Sequence, residues 1–271
     1  MAIYMINVPE RFRPHINVIY PPSNDLIFEE WFYQQEIPET EREYLPIFWT
    51  SYYVNNNYGN DKKALQDLQN YIDNLDKSKK YYTIVQYDDG ILNDLSKIDC
   101  KVFGMGGGHY DYPLPLISKP HPYSFTFERD VFCNFMGALT HEYRRQIVTW
   151  CKRWGYMVST SPMDIKMYCA NLSRSVFTLA PRGYGVTSFR LAEAIQFGSI
   201  PVFISDRPMI PHNLGFDYGV LIKPDDIPQI NNILRAIPQE EIRRKQAMLP
   251  EVYKELFTYE GCKNLILKHL S

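Results

Sequence analysis

The sequence lacks an excess of charge of either sign: 29 Lys and Arg stand against 31 Asp and Glu, a formal net charge of −2 over 271 residues. A general nucleic-acid-binding surface needs a basic field, so that class is set aside, while a local basic pocket for one diphosphate stays open. Paired cysteines are lacking too. Cys100, Cys133, Cys151, Cys169 and Cys262 are odd in number, widely spaced and without a Cys-x-x-Cys. That argues against a zinc site and a disulfide framework, and fits reduced thiols in a cytoplasmic compartment. No run of 18 apolar residues is present, and Met1 to Arg13 has no long apolar core, so neither a membrane span nor a signal peptide is expected. The sequon Asn171-Leu172-Ser173 would then not meet the glycosylation machinery. Internal repeats and low-complexity segments are also missing.

What is present is material for two cores. The length exceeds the usual single domain of roughly 100–150 residues, and 45% of the chain is hydrophobic. Aromatic residues reach 15%, with 21 Tyr and 15 Phe, a surplus that serves either large cores or carbohydrate- and base-stacking surfaces.

Short β-rich runs alternate with helical patterns. Residues 15–20, 46–53, 81–86 and 101–104 read as strands, with helices over 26–35 and 64–75, where Ala64, Leu65, Leu68, Tyr71, Ile72 and Leu75 keep helical spacing. Asp88-Asp89-Gly90 is a turn signal, and Gly106-Gly107-Gly108 follows the fourth strand. Pro113, Pro115, Pro120 and Pro122 resist helix and central strand, so an interdomain linker is expected over 112–124. The alternation then restarts, with strands at 131–135, 175–179 and 200–204 and helices at 141–152, 188–197, 227–235 and 239–268. Two α/β domains with parallel sheets follow, 1–120 and 121–271, the last helix free to cross back. In such folds ligands bind beyond the carboxyl ends of the strands.

Residues 177–195 carry the functional argument: a strand, the loop Pro181-Arg182-Gly183-Tyr184-Gly185, and a helix opened by Ser188. Gly183 and Gly185 let the backbone approach a ligand, Ser188 suits an N-cap, and a helix start with Arg182 and Arg190 suits a phosphate. Glu193 shares a helix face with Arg190 and is placed to accept from ribose hydroxyls; equally, the two could form an ordinary surface pair.

The segment resembles the exostosin-like glycosyltransferases. Their pattern of Pro-Arg-Gly, Ser-x-Arg-x-x-Glu-Ala, Gly, Pro-Val and Ser-Asp is met in order by Pro181, Arg182, Gly183, Ser188, Arg190, Glu193, Ala194, Gly198, Pro201, Val202, Ser205 and Asp206. Residues 135–138 and 145–146 are similar to the family's first C-domain strand and helix. The likeness is good over about 130–235 and fainter over 45–120. It implies a GT-B fold, two Rossmann-like domains facing each other across a cleft. It also implies an inverting enzyme moving a sugar from a UDP-sugar to an oligosaccharide or glycoprotein glycan. The N-terminal domain would bind the acceptor and the C-terminal domain the donor. By position, Glu193 would bind ribose, and Arg145, Ser188 and Arg190 the diphosphate, with Arg182 and Gly183 nearby. Short freestanding members resembling this chain occur in large algal viruses, which implies a host-cytoplasm setting and xylose as the donor sugar.

Inversion needs a base for the acceptor hydroxyl and electrostatic support for the departing diphosphate. No Asp-x-Asp pair exists to hold a bridging metal, and His121, His141 and His212 have no ligand spacing, so no metal or other cofactor is expected. The residue eight before Glu193 is Gly185, so the Glu-x7-Glu of retaining enzymes is missing. Asp88, after a strand, is the first candidate base, against a plain solvated turn; Asp111 and His109 are second choices. Asp206 either touches the donor sugar or caps the turn at Pro208. The 49–53 aromatic run either lines an acceptor site or fills the core. Two other classes stay open: a dinucleotide-dependent oxidoreductase, from Gly183-Tyr184-Gly185 between strand and helix, and a non-catalytic sugar-binding module.

Overall fold

The computed structural model describes residues 5–16, 26–117, 119–210 and 215–270. The chain folds into two compact units, Met1–Lys119 with Tyr259–Ser271, and Pro120–Thr258. The strand reading over 17–20 and His212 lie outside the described residues.

The first unit runs α1 (Phe28–Tyr33), β1 (Glu43–Tyr44), α2 (Trp49–Asn55), α3 (Lys62–Asp73), β2 (Lys80–Val85), β3 (Asp99–Gly104) and β4 (Tyr112–Pro113). Its strands pair in parallel in the order β1-β2-β3-β4. Asp61 caps α3 by accepting from the Lys63 and Ala64 amides, and Leu68 and Ile72 on the helix's apolar face enter the core. The second unit runs β5 (Val131–Met136), α4 (Glu142–Trp154), β6 (Met157–Ser159), α5 (Ile165–Arg174), β7 (Ser175–Pro181), α6 (Arg190–Gln196), β8 (Ile200–Ile204), β9 (Val220–Ile222), α7 (Ile230–Arg235) and α8 (Gln239–Leu256). Its sheet is parallel throughout, in the order β6-β5-β7-β8-β9. Buried on both faces, β7 and β8 carry mainly apolar runs rather than alternation, with the buried Thr178 of β7 bonded to Asn134 and Ser199. The last helix, α9 (Tyr259–Leu270), belongs to the first unit, where Tyr259 packs on Phe28 and Trp31. Each unit is thus an α/β layer structure on a parallel sheet, the class the alternation predicts.

Several local expectations are corrected. The 46–53 run is no strand: Trp49–Asn55 is helical, and residues 49–54 are all buried. A helix buried all round offers no polar face, so the helical 3.6-residue period is erased and an aromatic run imitates a strand. Trp49 Nε1 donates to Thr83 Oγ1 at 2.8 Å, fixing α2 on β2, so this run is core. The proline-rich linker contains β4, tolerated because β4 is the sheet's edge, and Leu114, Leu116 and Ile117 are buried. The expected final helix breaks at Phe257 and Thr258, and β6 and α5 fill a stretch for which the sequence pattern predicts no element.

Candidate functional site

In the second sheet β6 lies on one side of β5, while β7, β8 and β9 lie on the other. The order reverses between β5 and β7, and loops leaving two such strands diverge, opening a crevice at their carboxyl ends. Arg144, on α4, stitches that crevice. Its Nη1 donates to Ala138 O beyond β5 at 3.0 Å, its Nε to Arg182 O at 2.9 Å and its Nη2 to Pro181 O at 3.3 Å. Burial, then the nearby charge of Arg190, pulls its pKa down to about 10.

Beside it is a pocket of about 320 Å³, walled by Met136, Gly137, the 159–163 loop, Tyr168, Arg190 and Glu193. Arg190 is 9% exposed, and its Nε and Nη1 are buried without hydrogen-bond partners. Its guanidinium lies over the Phe135 ring, 5.5 Å from the centroid. Gly137 permits this: a Cβ there would lie 2.2 Å from Arg190 Nη2. Donors desolvated in this way cost free energy unless something accepts from them, and a guanidinium fork best suits a phosphate or carboxylate.

Glu193 stands one turn further along α6. Tyr168 donates its hydroxyl to Glu193 Oε2 at 2.5 Å, and His121 Nε2 lies 3.6 Å from Oε1. Burial pushes the Glu193 carboxyl up, but His121, Arg190 and Tyr168 outweigh it and hold the group below its ordinary value. The same burial, with the Glu193 charge, drives the Tyr168 phenol upward, so it stays a donor. A part-buried carboxylate held ionised beside buried cationic donors is a place for ligand hydroxyls next to ligand anionic oxygens.

The other predicted residues fall around this pocket rather than in it. Arg145 is exposed; its Nε bonds Glu142 at 3.0 Å and its Nη1 donates to Leu139 O, neither a wall of the pocket. The buried arginine of that pair is its neighbour Arg144. Arg182 is engaged by its own loop: Nε donates to Gly185 O at 3.1 Å, Nη2 to Tyr184 O, and Nη1 pairs with Asp206 at 2.6 Å. Burial works against the Asp206 charge, but Arg182 holds its carboxyl low. Asp206 and Ser205 wall a separate pocket of about 340 Å³ with Tyr143, Lys223 and Asp225. Gly183 closes the loop by donating to Thr187 O, and Arg144 Nη2 lies 3.3 Å from where its Cβ would be. Ser188 Oγ accepts from the Arg190 amide at 3.3 Å, although α6 starts later than expected, with Phe189 as its N-cap residue.

In the first unit, Asp88 lies part-buried in a turn closed by Gly90 N donating to Tyr87 O at 2.9 Å. The triple glycine packs backbone to backbone on that turn. Cβ atoms at Gly106, Gly107 and Gly108 would come within 2.0, 2.4 and 2.2 Å of the carbonyl oxygens of Tyr87, Asp88 and Asp89. Asp111 accepts from Val102 N at 2.7 Å, so its carboxylate secures the backbone of β3. His109 is exposed in the loop. A residue that no sequence pattern marks is Glu29, wholly buried, accepting from Gln86 N at 2.7 Å and from the Thr50 amide and hydroxyl. Burial, only partly opposed by these bonds, pushes its pKa up to about 8. Among the described residues no group of three His, Cys, Asp or Glu is disposed to hold a metal.

The exostosin GT47 domain matches residues 102–237, half of the chain. The chain belongs to the exostosin GT47 family. Among curated relatives, "Probable glucuronosyltransferase GUT1" of Oryza sativa subsp. japonica is 44% identical over 87 residues, 31% of this chain and 21% of that protein. "Probable beta-1,4-xylosyltransferase IRX10" of Arabidopsis thaliana is 39% identical over 85 residues, 30% of this chain and 21% of that protein. The matched segment therefore spans about a fifth of each exostosin relative. Among solved structures, TarM aligns with 76% of this chain and 53% of its own at TM-score 0.45 and 9% identity. AviGT4, a glycosyltransferase involved in avilamycin A biosynthesis, aligns with 76% of this chain and 78% of its own at TM-score 0.34 and 12% identity.

Proposed function

We propose that this exostosin-family chain is an inverting glycosyltransferase of GT-B type that binds a UDP-sugar in the β5–β7 crevice and transfers its sugar to a glycan hydroxyl. The observation that carries the reading is Arg190, a buried guanidinium with two unpartnered donors beside the ionised Glu193. A nucleoside diphosphate supplies what both need: phosphate oxygens for Arg190 and ribose hydroxyls for Glu193. Arg190, backed by Arg144, would offset the charge that grows on the leaving diphosphate, with no metal required. Tyr168 and His121 orient Glu193 and keep it ionised. Asp88 is the candidate proton acceptor for the glycan hydroxyl. It is a part-buried carboxylate in the turn that follows β2. The relatives' names support a pentose or uronic acid donor, and UDP-xylose is our first choice. A setting in the cytoplasm is part of the same proposal.

The test is acceptor-dependent release of UDP from a panel of UDP-sugars, with the product's anomeric configuration read by NMR. Release from UDP-xylose with inversion is expected. Retention, or release from no donor with any glycan, would overturn the reading.

A further inference from the structure

A second pocket, about 460 Å³, lies at the opposite edge of the same sheet. Its walls include Arg129 just before β5, Ser173 just before β7 and Gly198 just before β8, so it opens at the amino ends of the strands. The volume is within the range of roughly 300–1,000 Å³ usual for small-molecule sites. The remaining walls come from an extended segment carrying Tyr123 and Phe125 and from α8, through Gln246, Pro250 and Tyr253.

Three features show what the pocket would take. Phe125 packs on Phe197 with ring centroids 6.2 Å apart, and Tyr123 and Tyr253 bring the aromatic walls to four, the apolar surface that meets the C–H face of a sugar ring. Gln246, on α8, brings an unsatisfied donor to the wall. Its Nε2 is buried without a partner, and Pro250, four residues on within α8, has no N–H to bond the Gln246 carbonyl. The pocket's charge is one-sided: no carboxylate is among its described walls. Arg129 is bonded to neutral carbonyls alone, Ser173 O at 2.8 Å, Ser175 O at 2.7 Å and Phe197 O at 3.0 Å. Pockets for neutral sugars lean on Asp, Asn and Glu to accept from hydroxyls; this one offers a cation and an amide donor instead.

We propose that this pocket is a second saccharide site, distinct from the β5–β7 crevice, and that it takes a sugar bearing a carboxylate. The sugar ring packs against Phe125 and Tyr253. Its carboxylate faces Arg129 and Gln246 Nε2, and a ring hydroxyl donates to Gln246 O.

The test titrates the full chain with a hexuronic acid oligomer and with a neutral xylo-oligomer of equal length, by calorimetry. Variants are Tyr253→Ala, Gln246→Leu and the pocket-filling Ser124→Trp, with UDP affinity and the melting curve recorded for each. The uronate oligomer is expected to bind at least tenfold tighter than the neutral one. Each variant should weaken it at least tenfold while UDP affinity changes less than twofold. Absence of uronate binding at millimolar concentration would overturn the proposal. So would equal affinity for the neutral oligomer, or affinity unchanged in variants that melt as the parent does. The UDP readout separates this failure from failure of the glycosyltransferase reading.

Discussion

Replacing Arg190 by Met should leave the unliganded protein at least as stable and cripple nucleotide binding. Nε and Nη1 are buried without partners, and a buried unsatisfied donor costs about 1–3 kcal/mol. Met fills much of the same volume and removes both donors. What is lost is the cation's contact with Phe135, worth about 0.5–2 kcal/mol, together with its attraction to the Glu193 carboxylate and its bond with Tyr168. The balance predicts unliganded stability unchanged or higher by up to about 2 kcal/mol. Hydrogen bonds from a cation to diphosphate oxygens contribute about 1.5–3 kcal/mol each, so losing two should weaken UDP binding by about 3–6 kcal/mol, roughly 100- to 10,000-fold. Urea denaturation with and without UDP reads both effects. An unliganded variant weaker by more than about 2 kcal/mol, with UDP affinity intact, would refute the reasoning and make Arg190 a structural residue.

Glu29 predicts a pH dependence. Its pKa rises on folding from 4.5 to about 8, so its contribution is fully present below pH 4.5 and is lost as pH rises through about 8. Wild-type stability should fall across that window by up to about 5 kcal/mol, and Glu29→Gln should flatten the slope in pH-resolved urea melts. Asp88→Asn should lower turnover by about 100-fold or more, read as kcat at saturating donor and acceptor. Asp111→Asn should instead cost about 1–2 kcal/mol of stability through Val102 N, with turnover retained. Gly106→Ala puts a Cβ 2.0 Å from Tyr87 O, where backbone must move, so stability should drop by about 3 kcal/mol or more.

The strand–loop–helix from Phe177 to Ile195 is legible in the sequence because β7 is rich in apolar and β-branched residues, its loop carries glycines, and α6 keeps helical spacing. The same spacing places Arg190 and Glu193 together, and the structure puts both in one pocket. The α2 run reads wrongly as a strand because burial on every side removes the polar face that marks a helix. Tyr168, His121 and Arg144 escape a sequence reading for a different reason. Their roles come from β5–β7 adjacency, which brings α4, α5 and the 120–130 segment to the start of α6, and no local pattern encodes that adjacency. Adjacent positions on a helix point about 100° apart, which is why Arg145 lies exposed while its neighbour Arg144 is buried at the crevice. The glycine run at 106–108 imitates a ligand-binding loop, but its carbonyl contacts identify a spacer for the turn that carries Asp88.

Melting the protein against UDP, UMP, uridine, NAD and NADP tests whether the β5–β7 crevice takes a nucleoside diphosphate. UDP should stabilise by about 2.7 kcal/mol at a hundred times its Kd, with the effect falling through UMP to uridine and abolished in Arg190→Met. Stabilisation by NAD or NADP alone, or by uridine as strongly as by UDP, would contradict that assignment.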